Sequence, residues 1–121
     1  MKQILIIDDE PQVLRMLRKL FEEAGYGVRV AADGEAGIKT YRETPADIII
    51  TDIVMPDKEG LGMIRELKRD FPEVKIIAMS GGGKNRPDGY LTMAKEFGAL
   101  RTFQKPIDVR ELLDAVRELL S

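Results

Sequence analysis

Asp8 and Asp9, Asp52, Ser80 and Lys105 share one trait: each position follows a short, largely apolar run. The runs are Ile4-Leu5-Ile6-Ile7, Ile48-Ile49-Ile50-Thr51, Ile76-Ile77-Ala78-Met79 and Leu100 to Gln104. Isoleucine-rich runs of this length read as strands buried on both faces of a parallel sheet. Such sheets place ligands and chemistry outside the carboxyl ends of their strands. Three carboxylates, a hydroxyl and an ammonium therefore converge on one edge. Hard oxygen donors suit a divalent cation, and the ammonium and hydroxyl suit the oxygens of a phosphoryl group. Clustered carboxylates would repel that group, so the cation is chemically required.

Strand and helix patterns alternate five times and would position these residues. The strands are expected at Gln3 to Asp8, Val28 to Ala31, Asp47 to Thr51, Val74 to Met79 and Leu100 to Gln104. The second is short and alternates with Gly27 and Arg29, which suits an edge. Pro11 fits the first turn of a helix whose stripe of Val13, Leu14, Leu17, Leu20, Phe21 and Ala24 ends at Gly25. Asp33 is a candidate N-cap for a second helix through about Arg42, barred from continuing by Pro45. Gly37 inside it should cost about 1 kcal/mol relative to alanine. Leu61, Ile64, Leu67 and Lys68 mark a third helix ending before Pro72, and a fourth is expected near Asp88 to Phe97. Asp108 and Glu111 have the spacing of a capping box, and Val109, Leu112, Leu113, Val116, Leu119 and Leu120 give the last helix its apolar face. The expected fold is (βα)5 α/β: a doubly wound, five-stranded parallel sheet with right-handed crossovers. In a flavodoxin-like order, 2-1-3-4-5, the strands carrying the chemistry are consecutive neighbours.

The 121 residues suffice for one domain, spanning 1–121, and not for two. A hydrophobic share of 44% and a charged share of 33% belong to an ordinary globular chain. The net charge of −2 argues against a general nucleic-acid binder. Without cysteine there is no thiol nucleophile or thiolate metal site, and without histidine no imidazole base or ligand. The apolar start is too short, and too soon followed by Asp8-Asp9-Glu10, to be a signal peptide; no run approaches a membrane span. A cytoplasmic location is expected.

Ile7-Asp8-Asp9-Glu10, Thr51-Asp52-Ile53-Val54-Met55-Pro56, Met79-Ser80-Gly81 and Lys105-Pro106 together resemble the receiver domain of two-component response regulators, from about Gln3 to the C-terminus. Each motif alone is weak, whereas all of them in order, each after a strand, are specific. The resemblance implies that Asp52 accepts a phosphoryl group from a histidine kinase or histidine phosphotransfer protein. It implies Mg²⁺, with Mn²⁺ as an alternative, held by Asp9, Asp52 and the Val54 carbonyl, with Asp8 acting through water. Lys105 and Ser80 would contact phosphoryl oxygens, and Pro106 would follow a cis peptide. Output would be a surface change around the fourth helix, fifth strand and fifth helix, read by another protein, with no nucleic acid or membrane involved. A monomer is expected, with dimerisation on phosphorylation as an option. Turnover of an external substrate is not expected.

Plainer readings exist for each residue. Asp8 or Asp9 alone could be a helix N-cap, Lys105 a solvated residue, and Ser80-Gly81-Gly82-Gly83 a plain turn. That turn is no P-loop, since the Walker spacing is absent. A Mg²⁺-dependent phosphatase with an aspartyl nucleophile would want a second Asp where Val54 stands. A nucleotide- or flavin-binding module fits an acidic edge poorly, and a phosphorylation-independent pseudo-receiver fits poorly with a complete set of site residues. Met55, Met63, Met79 and Met93 are expected as core or gap-filling residues, and the mixed charges from Arg65 to Lys75 on a solvated face. Two departures from the family stand out. Thr102 occupies the position three before the lysine where Tyr or Phe is usual, and Phe103 should face the other way. The connection from Ser80 to Lys105 is also longer than usual, which assigns much of the switching to the loop Gly82 to Asp88.

Overall fold

The isoleucine run at the N-terminus forms β1 (Gln3–Ile7), in which Ile4, Leu5, Ile6 and Ile7 are all fully buried. A computed structural model describes residues 1–54, 60–81 and 89–121, with the side chains of Gly89 and Tyr90 excepted. The expectations for Met55 and Pro56, and for the glycine-rich loop from Gly82 to Asp88 with its switching role, lie outside the described residues. The elements alternate as α1 (Pro11–Glu23), β2 (Gly27–Ala31), α2 (Gly34–Glu43), β3 (Ile48–Asp52), α3 (Gly60–Asp70), β4 (Ile76–Gly81), α4 (Gly89–Phe97), β5 (Arg101–Lys105) and α5 (Val109–Leu120). All neighbouring strands pair in parallel, in the order β2-β1-β3-β4-β5, and β2 is an edge as its alternation suggested.

Strand parity divides the core into two layers. Leu5, Ile7, Ile49, Ile76 and Ala78 meet Ile38, Ile64, Leu67 and Ala94 of α2, α3 and α4. Ile4, Ile6, Ile48, Ile50, Ile77 and Met79 meet Leu17 and Phe21 of α1 and Leu112 and Val116 of α5. Pro11 opens α1, and Gly25 follows it at φ 99°, a left-handed conformation glycine adopts without penalty. The Asp33 carboxylate caps α2 by accepting the Ala36 N–H at 2.8 Å. Asp108 accepts from the N–H groups of Arg110 and Glu111 at the start of α5. Gly37 has a packing reason: a Cβ there would lie 2.3 Å from Ile7 Cδ1, so its absence lets α2 rest against β1.

Three strands begin later than their apolar runs suggest. Asp47 serves at the margin, where its carboxylate accepts the Gln3 N–H at 2.6 Å, and β3 extends to include Asp52, paired with Met79. The Val74 N–H turns back to the Phe71 carbonyl, so β4 starts at Ile76 and includes Ser80. β5 likewise runs to Lys105. Met63 and Met79 are buried, but Met93 is 42% exposed on α4, correcting its core assignment. Part of the Arg65 to Lys75 stretch is tied down rather than freely solvated. Arg42 bonds Glu66 and Asp70, and the Arg65 guanidinium sits over the Phe97 ring, 5.7 Å from its centroid.

Candidate functional site

The sheet register assembles the edge. Ile7 pairs with Thr51, so the next residues, Asp8 and Asp52, emerge side by side. Asp52 pairs with Met79 and Met79 with Phe103, so Lys105, paired with Gly81, lies two residues beyond their level on the same face, and its long side chain reaches back to them. Asp8, Asp52 and Lys105 also share strand parity with Ile6, Ile50 and Phe103, the residues of the α1/α5 layer. Their side chains meet. The Lys105 ammonium donates to Asp8 Oδ2 at 2.7 Å, to Asp52 Oδ2 at 3.1 Å and to Glu10 Oε1 at 3.1 Å. Each of its three donors has a carboxylate.

The remaining carboxylate oxygens are held by backbone. Asp8 Oδ1 accepts the Glu10 N–H and Asp52 Oδ1 the Val54 N–H, both at 2.9 Å. Asp8 and Asp52 are buried, whereas Asp9 is exposed and Glu10 half-exposed. Lys105 is followed by a cis peptide to Pro106. Ser80 is buried at the end of β4, but its parity is that of Ala78, on the opposite layer. Among the described residues no hydrogen bond ties its hydroxyl to the carboxylate–lysine cluster. The Val54 backbone enters through its N–H.

Glu10 was not singled out from the sequence. A signal exists: the residue before a proline is pushed to extended backbone, and Glu10 sits at φ −95°, ψ 111°. Extended alternation returns its side chain to the side taken by Asp8. Carboxylate oxygens of Asp8, Asp9, Glu10 and Asp52 lie within 4.8 Å of one another. A cluster of hard oxygens at a partly open strand edge fits Mg²⁺, which takes one or two carboxylates and keeps several waters.

Electrostatics follow from burial. Burial pushes the Asp8 carboxyl above its ordinary value of 3.8; the Lys105 and Glu10 hydrogen bonds and the lysine's charge oppose this, and the Asp52 charge adds to it. For Lys105 burial acts downward, but hydrogen bonds and charges of Asp8 and Asp52 outweigh it and raise its pKa. The lysine is firmly an ammonium. Because folding raises the Asp8 pKa, the folded protein binds that proton more tightly than the unfolded chain. The contribution to stability is present below the unfolded value and is lost as pH rises through the folded one. The melting temperature of the cation-free protein should therefore carry a component falling with pH just above 3.8. Asp70, lowered to about 2 by Arg69 and Arg42, acts in a separate window below 3.8 and in the opposite sense. Asp8→Asn should remove the component above 3.8; a pH profile unchanged by the substitution would assign it elsewhere.

Five parallel strands in this order define a flavodoxin-like α/β domain, with buried aspartates and a lysine at the carboxyl edge of the sheet and carboxylates that could hold a cation. The model of the response regulator receiver domain matches residues 4–117, and the chain belongs to that family. It is similar to chemotaxis protein CheY of Thermotoga maritima, 30% identical over 119 residues that cover 98% of this chain and 97% of that protein. It is 29% identical to sporulation initiation phosphotransferase F of Bacillus subtilis, over 98% of this chain and 94% of that one. Response regulator protein TrrA of Thermotoga maritima, solved in complex with Mg²⁺-BeF, superposes with a TM-score of 0.87 at 30% identity, covering 99% of this chain and 100% of the other. Other matched relatives are much longer, and the chain spans as little as 12% of one. Receiver domains are phosphorylation-type modules of two-component signalling rather than turnover enzymes. Among the described residues no helix is long and apolar enough to cross a membrane.

Proposed function

We propose that this chain is a single receiver domain over residues 1–121, which accepts a phosphoryl group on Asp52 and signals through its surface. The observation that carries this reading is the buried Asp52 carboxylate, held by the Val54 N–H and facing the Lys105 ammonium at 3.1 Å. The donor is a phosphohistidine of a sensor kinase or phosphotransfer protein, and a cytoplasmic location goes with it. A carboxylate oxygen of Asp52 attacks phosphorus; the O–P bond forms, the N–P bond breaks, and the imidazole leaves with the electron pair. Lys105, released from Asp52, places its charge against a phosphoryl oxygen, and Ser80 donates to another. Asp8, Asp9, Asp52 and the Val54 carbonyl would hold Mg²⁺ or Mn²⁺. A cation held there would supply positive charge to offset that of the carboxylates and the phosphoryl group.

Acyl phosphate at position 52 then biases the α4–β5–α5 surface, read by a partner protein rather than by nucleic acid or a membrane. With Thr102 on the α4 side and Phe103 packed in the α1/α5 layer, an aromatic rotamer switch at position 102 has no side chain to act through. The protein works as a monomer that can dimerise when phosphorylated. Intact mass after incubation with acetyl phosphate and Mg²⁺ tests the reading. Wild type should gain one phosphoryl adduct that needs Mg²⁺ and that Asp52→Asn abolishes. An adduct that persists in the variant, or none from any phosphodonor, would remove Asp52 as acceptor.

A further inference from the structure

Glu10 has no role in the chemistry above, yet it is one of the three carboxylates on Lys105. Its side chain is 46% exposed, against 5% for Asp52 and 0% for Asp8, so it is the solvent-facing member of the group. It is also braced: Gln12 Nε2 donates to Glu10 Oε2 at 3.2 Å, while the other oxygen holds the lysine. A cavity of about 480 Å³ adjoins the cluster, walled by Val13 and Met16 of α1 and by Pro106 and Ile107. The charged side chains in its lining are Glu10 and Lys105. A small phosphodonor approaching the lysine from this side must therefore pass a fixed negative charge. We propose that Glu10 is a specificity-determining residue for the phosphodonor, its carboxylate at this cavity repelling small, highly anionic donors from Asp52. This rests on Asp52 being the acceptor.

The repulsion scales with donor charge and is screened by salt. Acetyl phosphate is a dianion at neutral pH, while phosphoramidate carries a single net negative charge. Glu10→Gln should accelerate adduct formation from acetyl phosphate about tenfold at low ionic strength, and from phosphoramidate about threefold. Both gains should shrink toward unity near 1 M salt, where the screening length falls to about 3 Å. Glu10→Lys extends the series in the same order, and the half-exposed position lets both variants be compared at matched melting temperature.

Adduct formation is followed by intact mass at saturating Mg²⁺, with cation affinity measured separately from the Mg²⁺-dependent rise in melting temperature. Equal gains with both donors, insensitive to salt, would overturn the proposal, because Glu10 would then act only by restraining Lys105. No gain, or a slower reaction accompanied by weaker Mg²⁺ binding, would also overturn it and make Glu10 a cation ligand. No adduct on wild type from either donor would instead strike the acceptor assignment, and this proposal with it.

Discussion

Lys105→Met is expected to lower the stability of the cation-free protein by about 3 kcal/mol, in the range for breaking a buried ion pair. The ammonium side chain is 14% exposed and serves three carboxylates, two of them buried. Methionine keeps most of the apolar stem, so lost packing contributes little. What remains is Asp8 and Asp52 side by side without their counter-charge. The same substitution should tighten Mg²⁺ binding about tenfold, since an added cation no longer competes with a resident one. Saturating Mg²⁺ would then restore most of the lost stability through mass action. Urea melts of both proteins in EDTA and in Mg²⁺ supply the comparison. A loss of equal size under both conditions would mean that the lysine contributes packing rather than charge.

The second large effect is expected at Gly60, where α3 begins. A Cβ there would lie 2.3 Å from Ile53 Cα, 2.8 Å from the Ile53 carbonyl carbon and 2.9 Å from the Asp52 carbonyl oxygen. All three are backbone atoms of the segment that carries Asp52, the proposed acceptor, and no rotamer change relieves the contact. The Gly60 N–H also bonds the Ile53 carbonyl at 3.2 Å, so the close approach is part of how the helix is anchored. Gly60→Ala should destabilise the protein by about 3 kcal/mol, at the upper end for overpacking, and slow phosphorylation by displacing Asp52. Gly62, two positions beyond in the same helix, is the control: it is exposed, and a Cβ there meets nothing within 4 Å. Gly62→Ala should stabilise by about 0.5–1 kcal/mol through helix propensity alone. Denaturant midpoints moving the same way in both variants would refute this account of Gly60.

The sheet was legible because its strands are buried on both faces. Ile48-Ile49-Ile50 has no alternation to confuse with a helix, and turn residues bound it. The strand limits were less legible, since the Asp47 carboxylate accepts the Gln3 N–H and the Val74 N–H bonds the Phe71 carbonyl, local bonds that periodicity does not register. Gly37 looked like a cost from propensity and proves to be a fit, because the relevant neighbour, Ile7, lies thirty residues away in sequence. At the site, register brings Asp8, Asp52 and Lys105 together, as order along the edge suggests. Ser80 has the parity of Ala78, in the other layer, a difference from Asp52 and Lys105 that order along the edge does not register. Glu10 was hidden for a different reason: an acidic residue before Pro11 looks like solvated helix-start chemistry until its extended backbone is known.

The lysine that balances the acidic pair comes from the last strand, 97 residues after Asp8. Translation proceeds from the other end, and domains form as their residues emerge. A nascent chain that has delivered β1, α1, β2, α2 and β3 already carries Asp8 and Asp52, while Lys105, the ammonium that pairs with both, is still to come. The sheet edge thus stays electrostatically open until β5 leaves the ribosome. Closure of the fold and arrival of the counter-charge are then one event, and a truncated product lacking β5 would be marked by an uncompensated acidic edge.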